Sequence, residues 1–116
     1  MELRSVDELM DLLHACGSEQ ALRTAALLRR GRPADKELQV AGLVMDTGQA
    51  AEVVRTLLGE RVYRLVCHHG SATDDELLRL AAEESLTARF DAGVLEDWRA
   101  VLELVAARNS RLETVD

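Results

Sequence analysis

Leu38-Gln39-Val40-Ala41-Gly42-Leu43-Val44-Met45 carries one polar side chain in eight positions. A run like this is apolar almost all the way round a helix and has no face to give to water. It belongs in the centre of a helical bundle. The polar first turn Ala34-Asp35-Lys36-Glu37 precedes it and Gly48 breaks it, so the spacing predicts a helix from Ala34 to about Thr47.

The flanking sequence supplies the helices that would cover this one. Ser5-Val6-Asp7-Glu8 has the form of a capping box, and Leu9, Leu12, Leu13 and Cys16 follow at helical spacing up to Gly17. Ser18 can cap a second helix bearing Leu22, Ala25, Ala26 and Leu28, closed by Gly31-Arg32-Pro33. Downstream, a fourth helix is expected from about Gln49 to Leu58, with Val53, Val54, Leu57 and Leu58 inward. Gly59 separates it from a fifth, Glu60 to His69. Thr73-Asp74-Asp75-Glu76 reads as a second capping box, opening a helix to about Asp91 before the break at Ala92-Gly93. The last helix, from about Leu95 to Arg108, would bury Trp98, Val101, Leu102 and Val105. No strand-like alternation and no internal repeat interrupts the pattern. The fold class is therefore all-α, a compact bundle of about six to seven helices. It forms one domain over residues 1–110, with a polar, frayed tail at 111–116.

The composition agrees with that class. Apolar residues make up 47% of the 116 positions, yet there is only one Trp, one Tyr and one Phe. The core must be built from Leu, Val and Ala, which suits helices better than sheets. The formal net charge is −7 with the basic residues interspersed among acids, so nucleic acid and anionic membrane are both poor partners. No stretch approaches the roughly 18 apolar residues of a membrane span, and the N-terminus lacks a signal-peptide layout, so a cytoplasmic location is expected. The two cysteines, Cys16 and Cys67, have no metal or disulfide spacing and read as small buried hydrophobes.

Three residues stand out as chemistry. Asp46 ends the most apolar helix, where its carboxylate meets the negative end of the helix dipole at a disadvantage of roughly 0.3–1 kcal/mol. That placement points to a function, or to a structural ion pair with Arg23, Arg64 or Arg89. His69 continues the series Val62, Leu65, Val66 and would share their buried face. It reads as a metal ligand or acid–base group, or else as a core or C-capping histidine beside Gly70. Asp91 repeats the Asp46 situation at the end of the sixth helix, with a solvated helix end as the alternative. His68 and Cys67 do not converge with His69, because consecutive helical residues point about 100° apart. His14 reads as a surface or boundary histidine.

The stretch Leu38 through Met45-Asp46-Thr47-Gly48 resembles the signature helix of HD-domain proteins, in which an apolar helix ends in a metal-binding His-Asp pair. Leu57-Leu58-Gly59-Glu60-Arg61-Val62 through Leu65-Val66-Cys67-His68-His69 is similar to the following helices of the phosphonate-degrading HD oxygenases, the inositol-oxygenase-like branch. Trp98-Arg99-Ala100-Val101-Leu102 resembles that branch's C-terminal helix, and Ala21-Leu22-Arg23-Thr24-Ala25 the helix bearing its first histidine. The resemblance implies Asp46, His69 and Asp91 as metal ligands. It also implies losses. Gln20 stands at the first histidine's place, Met45 replaces the His of the His-Asp pair, and Thr47 to Glu60 holds no histidine at all. Gln20 and Met45 would then line the cavity the metals left. Methionine is a soft ligand suited to Cu(I) rather than iron or magnesium, so a two-metal oxidative mechanism is not expected.

The implied function is a metal-site-depleted, HD-like protein without a cofactor, binding a small molecule or a protein partner. The alternative is a reduced enzyme in which Asp46, His69 and Asp91 hold one divalent metal, iron or manganese. In a metal-free version His69 shuttles the proton and Asp46 orients it. A purely structural domain that forms a homodimer by helix packing is the third reading.

Overall fold

The buried centre of the protein is the helix quoted above. In a computed structural model, which describes residues 6–16, 19–45, 51–67, 69–88 and 90–114, seven α-helices follow one another and no strand occurs among the described residues. They are α1 (Val6–Cys16), α2 (Glu19–Gly31), α3 (Lys36–Val44), α4 (Ala51–Leu58), α5 (Glu60–Val66), α6 (Ala72–Thr87) and α7 (Arg99–Thr114), the last entered through a 3-10 turn at Leu95–Trp98. Every residue of α3 from Leu38 to Val44 is buried. Asp35 starts the helix by accepting the Leu38 amide at 3.2 Å.

Gln39 is the polar residue inside α3, and it is fully enclosed. Its Nε2 donates to the carbonyls of Arg32 (2.8 Å) and Pro33 (3.3 Å), which ties the α2–α3 turn to the helix. Its Oε1 has no partner among the described residues.

α2 packs on both α3 and α6, α5 lies against α3 and α4, and α7 crosses α1, α3 and α4. The α2–α3 contact is close because position 42 has no side chain. A Cβ there would sit 2.5 Å from Leu28 Cδ1 and 3.3 Å from Thr24 Cγ2. Trp98 is buried to 0% exposure, with the Arg29 guanidinium 4.7 Å from its ring centroid. The rest of the core is Leu, Val, Ala and Met10. The radius of gyration is 13.2 Å, close to the ~13 Å of a compact chain of about 100 residues. No helix among the described residues is long and apolar enough to cross a membrane.

Several boundaries differ from expectation. α3 begins at Lys36 rather than Ala34, since Asp35 is its cap. α5 stops at Val66, not His69. α6 is capped by Ser71, whose hydroxyl accepts the Asp74 amide at 3.1 Å, so Thr73 lies inside the first turn instead of before it. α6 ends at Thr87, four residues short of Asp91. There Arg23 Nε on α2 takes the Ser85 carbonyl at 3.2 Å and Ala88 turns to extended backbone. α7 runs on to Thr114, past the expected end at Arg108. Ser5, Gly17, Ser18, Asp46 and Gly48, named above as caps, breaks or a candidate site residue, lie outside the described residues.

Candidate ligand-binding groove

One face of α2 carries Glu19, Leu22, Arg23, Ala26, Arg29 and Arg30, a helical stripe of i, i+3, i+4, i+7, i+10 and i+11. Opposite this stripe runs the irregular connection between α6 and the 3-10 turn. The two walls enclose a groove of about 680 Å³, in which Glu19, Leu22 and Arg23 face Leu86, Phe90 and Asp91. A smaller slot of about 210 Å³ adjoins it, with Leu13, Ala21, Leu22, Leu43 and Leu95 as its apolar lining. Glu19 and Leu22 belong to both hollows, so slot and groove meet at that pair.

Local contacts set the groove's walls. Asp91 Oδ1 accepts the Gly93 amide at 2.9 Å, closing a turn that Gly93 completes at φ +83. The Arg30 guanidinium lies 5.0 Å from the Phe90 ring centroid. Arg23 joins the walls through Ser85 and reaches Glu19 Oε2 at 3.5 Å. Arg23 is therefore already engaged by both walls.

The residues singled out in the sequence fall in several places. Asp91 lines the groove, in a loop and not at a helix end. His69 is exposed, not buried. The helical register that would have turned it inward stops at Val66, and its amide donates to the Arg64 carbonyl at 2.8 Å in the turn that follows. His69 lines a different hollow, of about 580 Å³, with Arg61, Arg64, Ser71 and Asp74. The groove and this hollow have no lining residue in common. They flank opposite ends of α6, whose 16 residues span roughly 24 Å at about 1.5 Å per residue. Gln20 is half-buried on α2, where its carbonyl accepts the Thr24 hydroxyl at 3.0 Å. Met45 is half-buried against the core as the C-cap of α3. Neither Gln20 nor Met45 lines the groove or its slot. Among the described residues, which exclude Asp46, no group of three or more His, Cys, Asp or Glu side chains is placed to hold a metal ion.

Arg61 on α5 is the charged residue that the sequence did not announce. Its Nη1 and Nη2 grip Asp35 Oδ1 and Oδ2 at 2.6 and 2.8 Å. The same guanidinium reaches Glu37 at 3.2 Å and Asp74 at 3.1 Å. The hydrogen bonds from Arg61 hold the Asp35 carboxyl below the usual range against the opposing effect of burial, helped by the Leu38 amide. Asp35, and then Asp74 and Glu37, push the Arg61 pKa up in turn. The network joins the starts of α3 and α6 through α5.

Compared with known protein families, with curated proteins and with solved structures, the chain matches none.

Proposed function

We propose that this protein binds a small molecule or serves as an accessory protein, on an HD-like helical scaffold whose metal-ligand set has been dismantled. It is not an HD oxygenase or phosphohydrolase in this reading. The observation that carries the proposal is the groove of about 680 Å³ between α2 and the connection after α6. Ligand sites commonly enclose about 300–1,000 Å³ and combine apolar walls with a few converging polar groups. Leu22, Leu86 and Phe90 supply the first and Glu19, Arg23 and Asp91 the second.

The placement of His69 and Asp91 supports binding over the reduced-enzyme alternative. A single ion needs its ligands within about 2.0–2.6 Å, and these two side chains line separate hollows at opposite ends of α6. A proton shuttle at His69 would likewise act far from the groove. The overall charge of −7 favours a ligand other than nucleic acid.

Elemental analysis of protein purified without chelator tests this reading, with Asp46→Ala and His69→Ala as controls. The expected result is no stoichiometric iron, manganese or zinc, before or after the metals are offered. Near-stoichiometric metal that disappears in both variants would overturn the proposal and restore the mononuclear enzyme.

A further inference from the structure

We infer that Phe90–Gly93 is a strap across the face of α2, clasped by Arg30, whose opening admits a ligand to the groove. Only the last step, service to a ligand, rests on the groove being a binding site. Phe90, Asp91, Ala92 and Gly93 line two hollows at once, the groove of about 680 Å³ and a second of about 340 Å³ on the side of Arg30 and Asp97. The segment therefore has open space on both sides, which a chain packed onto the core lacks. None of its four residues is buried, so its place is not set by apolar burial of the kind that holds α3 and Trp98. The Gly93 amide bonds within the segment, to Asp91 Oδ1 at 2.9 Å. That bond ties the turn to itself and not to α2.

The chain on either side of the segment is anchored. Before it, Ser85 is fully buried and its carbonyl accepts Arg23 Nε at 3.2 Å. After it, Leu95 packs on the core and Trp98 is enclosed. Between these anchors Phe90 meets α2 through the Arg30 guanidinium, 5.0 Å from its ring centroid. Arg30 is exposed and Phe90 half-buried, and a cation–π contact in such a place shifts an opening equilibrium about twofold to fivefold. Gly93, at φ +83, supplies a hinge, since without a Cβ it passes readily to other backbone angles. Beneath the strap, Ala26 of α2 faces the smaller hollow and is 8% exposed. Lifting the strap uncovers Ala26 and joins the two hollows into one.

Thiol labelling of an Ala26→Cys variant of the full chain tests this. Mass spectrometry of the tryptic peptide Thr24–Arg29 reads the labelling at that position, because Cys16 and Cys67 fall in other peptides. The hollow beside Ala26 leaves room for the sulfur. Labelling should proceed at a rate that low urea does not change, which marks a local opening. Arg30→Gln and Phe90→Leu should each raise the rate about twofold to fivefold and leave the unfolding transition of Trp98 in place. Combined, they should raise it no further, since both remove the same contact. That result separates the clasp from an effect of the Arg30 charge on the thiol. Labelling that rises with urea in step with the Trp98 transition would overturn the strap, because the segment would then open only when the whole protein unfolds. Variants without effect, or effects that simply add, would overturn the Arg30 clasp. The assay uses no ligand, so its failure is distinct from failure of the groove as a binding site.

Discussion

Replacing Arg61 with methionine keeps the apolar stem and removes the guanidinium that three carboxylates share. Asp35 and Asp74 are about one-fifth exposed and Arg61 about two-fifths, at 39%. The pairing thus lies between an exposed ion pair and an enclosed one. A charge-assisted hydrogen bond to an enclosed group contributes about 1.5–3 kcal/mol, and an exposed pair about 0.2–1 kcal/mol. The two-pronged contact with Asp35, discounted for solvent, places the loss at about 1–2 kcal/mol. For a chain of this length that corresponds to a Tm drop of roughly 4–8 °C. Trp98 is the only tryptophan and is fully buried, so its fluorescence reports the unfolding directly. The sign of the pH dependence follows from Asp35, whose folded pKa is depressed. Its contribution is complete above its unfolded pKa of about 3.9 and is lost as pH falls through the lower folded value. The gap between wild type and Arg61→Met should therefore hold steady from pH 8 to about pH 5 and close in stronger acid. Salt at about 1 M should narrow it as well. An unchanged Tm at neutral pH, or a gap that does not close in acid, would refute the view that Arg61 clamps the starts of α3 and α6.

Three further substitutions probe the packing. Gly42→Val sets methyl groups where a Cβ alone would already lie 2.5 Å from Leu28 Cδ1, and should destabilise the protein by about 1–3 kcal/mol in urea melts followed by Trp98. Gly59→Ala forces a side chain onto φ +105 and within 3.2 Å of Asn109 Oδ1; a loss of about 1–3 kcal/mol is expected by the same assay. Asn109→Ala removes the donor that serves the Thr56 and Leu57 carbonyls at the end of α4. It should cost about 1 kcal/mol and speed amide exchange in α4 before the rest of the bundle.

The helices were legible in the sequence where one helix decides its own environment. The run from Leu38 to Val44 has no polar face, so its burial follows from composition alone, and the structure buries all of it. Boundaries were less legible because adjacent signals compete. Ser71-Ala72-Thr73-Asp74 and Thr73-Asp74-Asp75-Glu76 offer overlapping N-caps, and only the second carries the Glu of a capping box. The earlier one prevails here, with Asp75 reaching back to the Gly70 amide at 3.2 Å, a contact that pairwise spacing does not predict. His69 was misread for a related reason. Its inward position came from extending a 3.6-residue period three residues past Val66, where the helix has ended. Arg61 was invisible because Asp35 lies 26 positions away, and no local pattern couples the starts of two helices to the first turn of a third.

The same reasoning explains why the groove lies where it does. α2 buries Ala21, Thr24, Ala25, Ala26 and Leu28, mostly small side chains that let its backbone approach Gly42 of α3. A longer α6 would cover the other flank of α2 with side chains, yet α6 stops at Thr87 with Arg23 on the Ser85 carbonyl. The chain then crosses the opening as an irregular segment whose Phe90 is held beneath Arg30 instead of turning into the core. Leu86 and Val94, at 68% and 61% exposure, remain open to solvent on this stretch. The two most open of the large apolar side chains described thus lie where α6 gives way to the loop. The early end of α6 leaves Leu86 open in the last turn of the helix and places Asp91 in the loop.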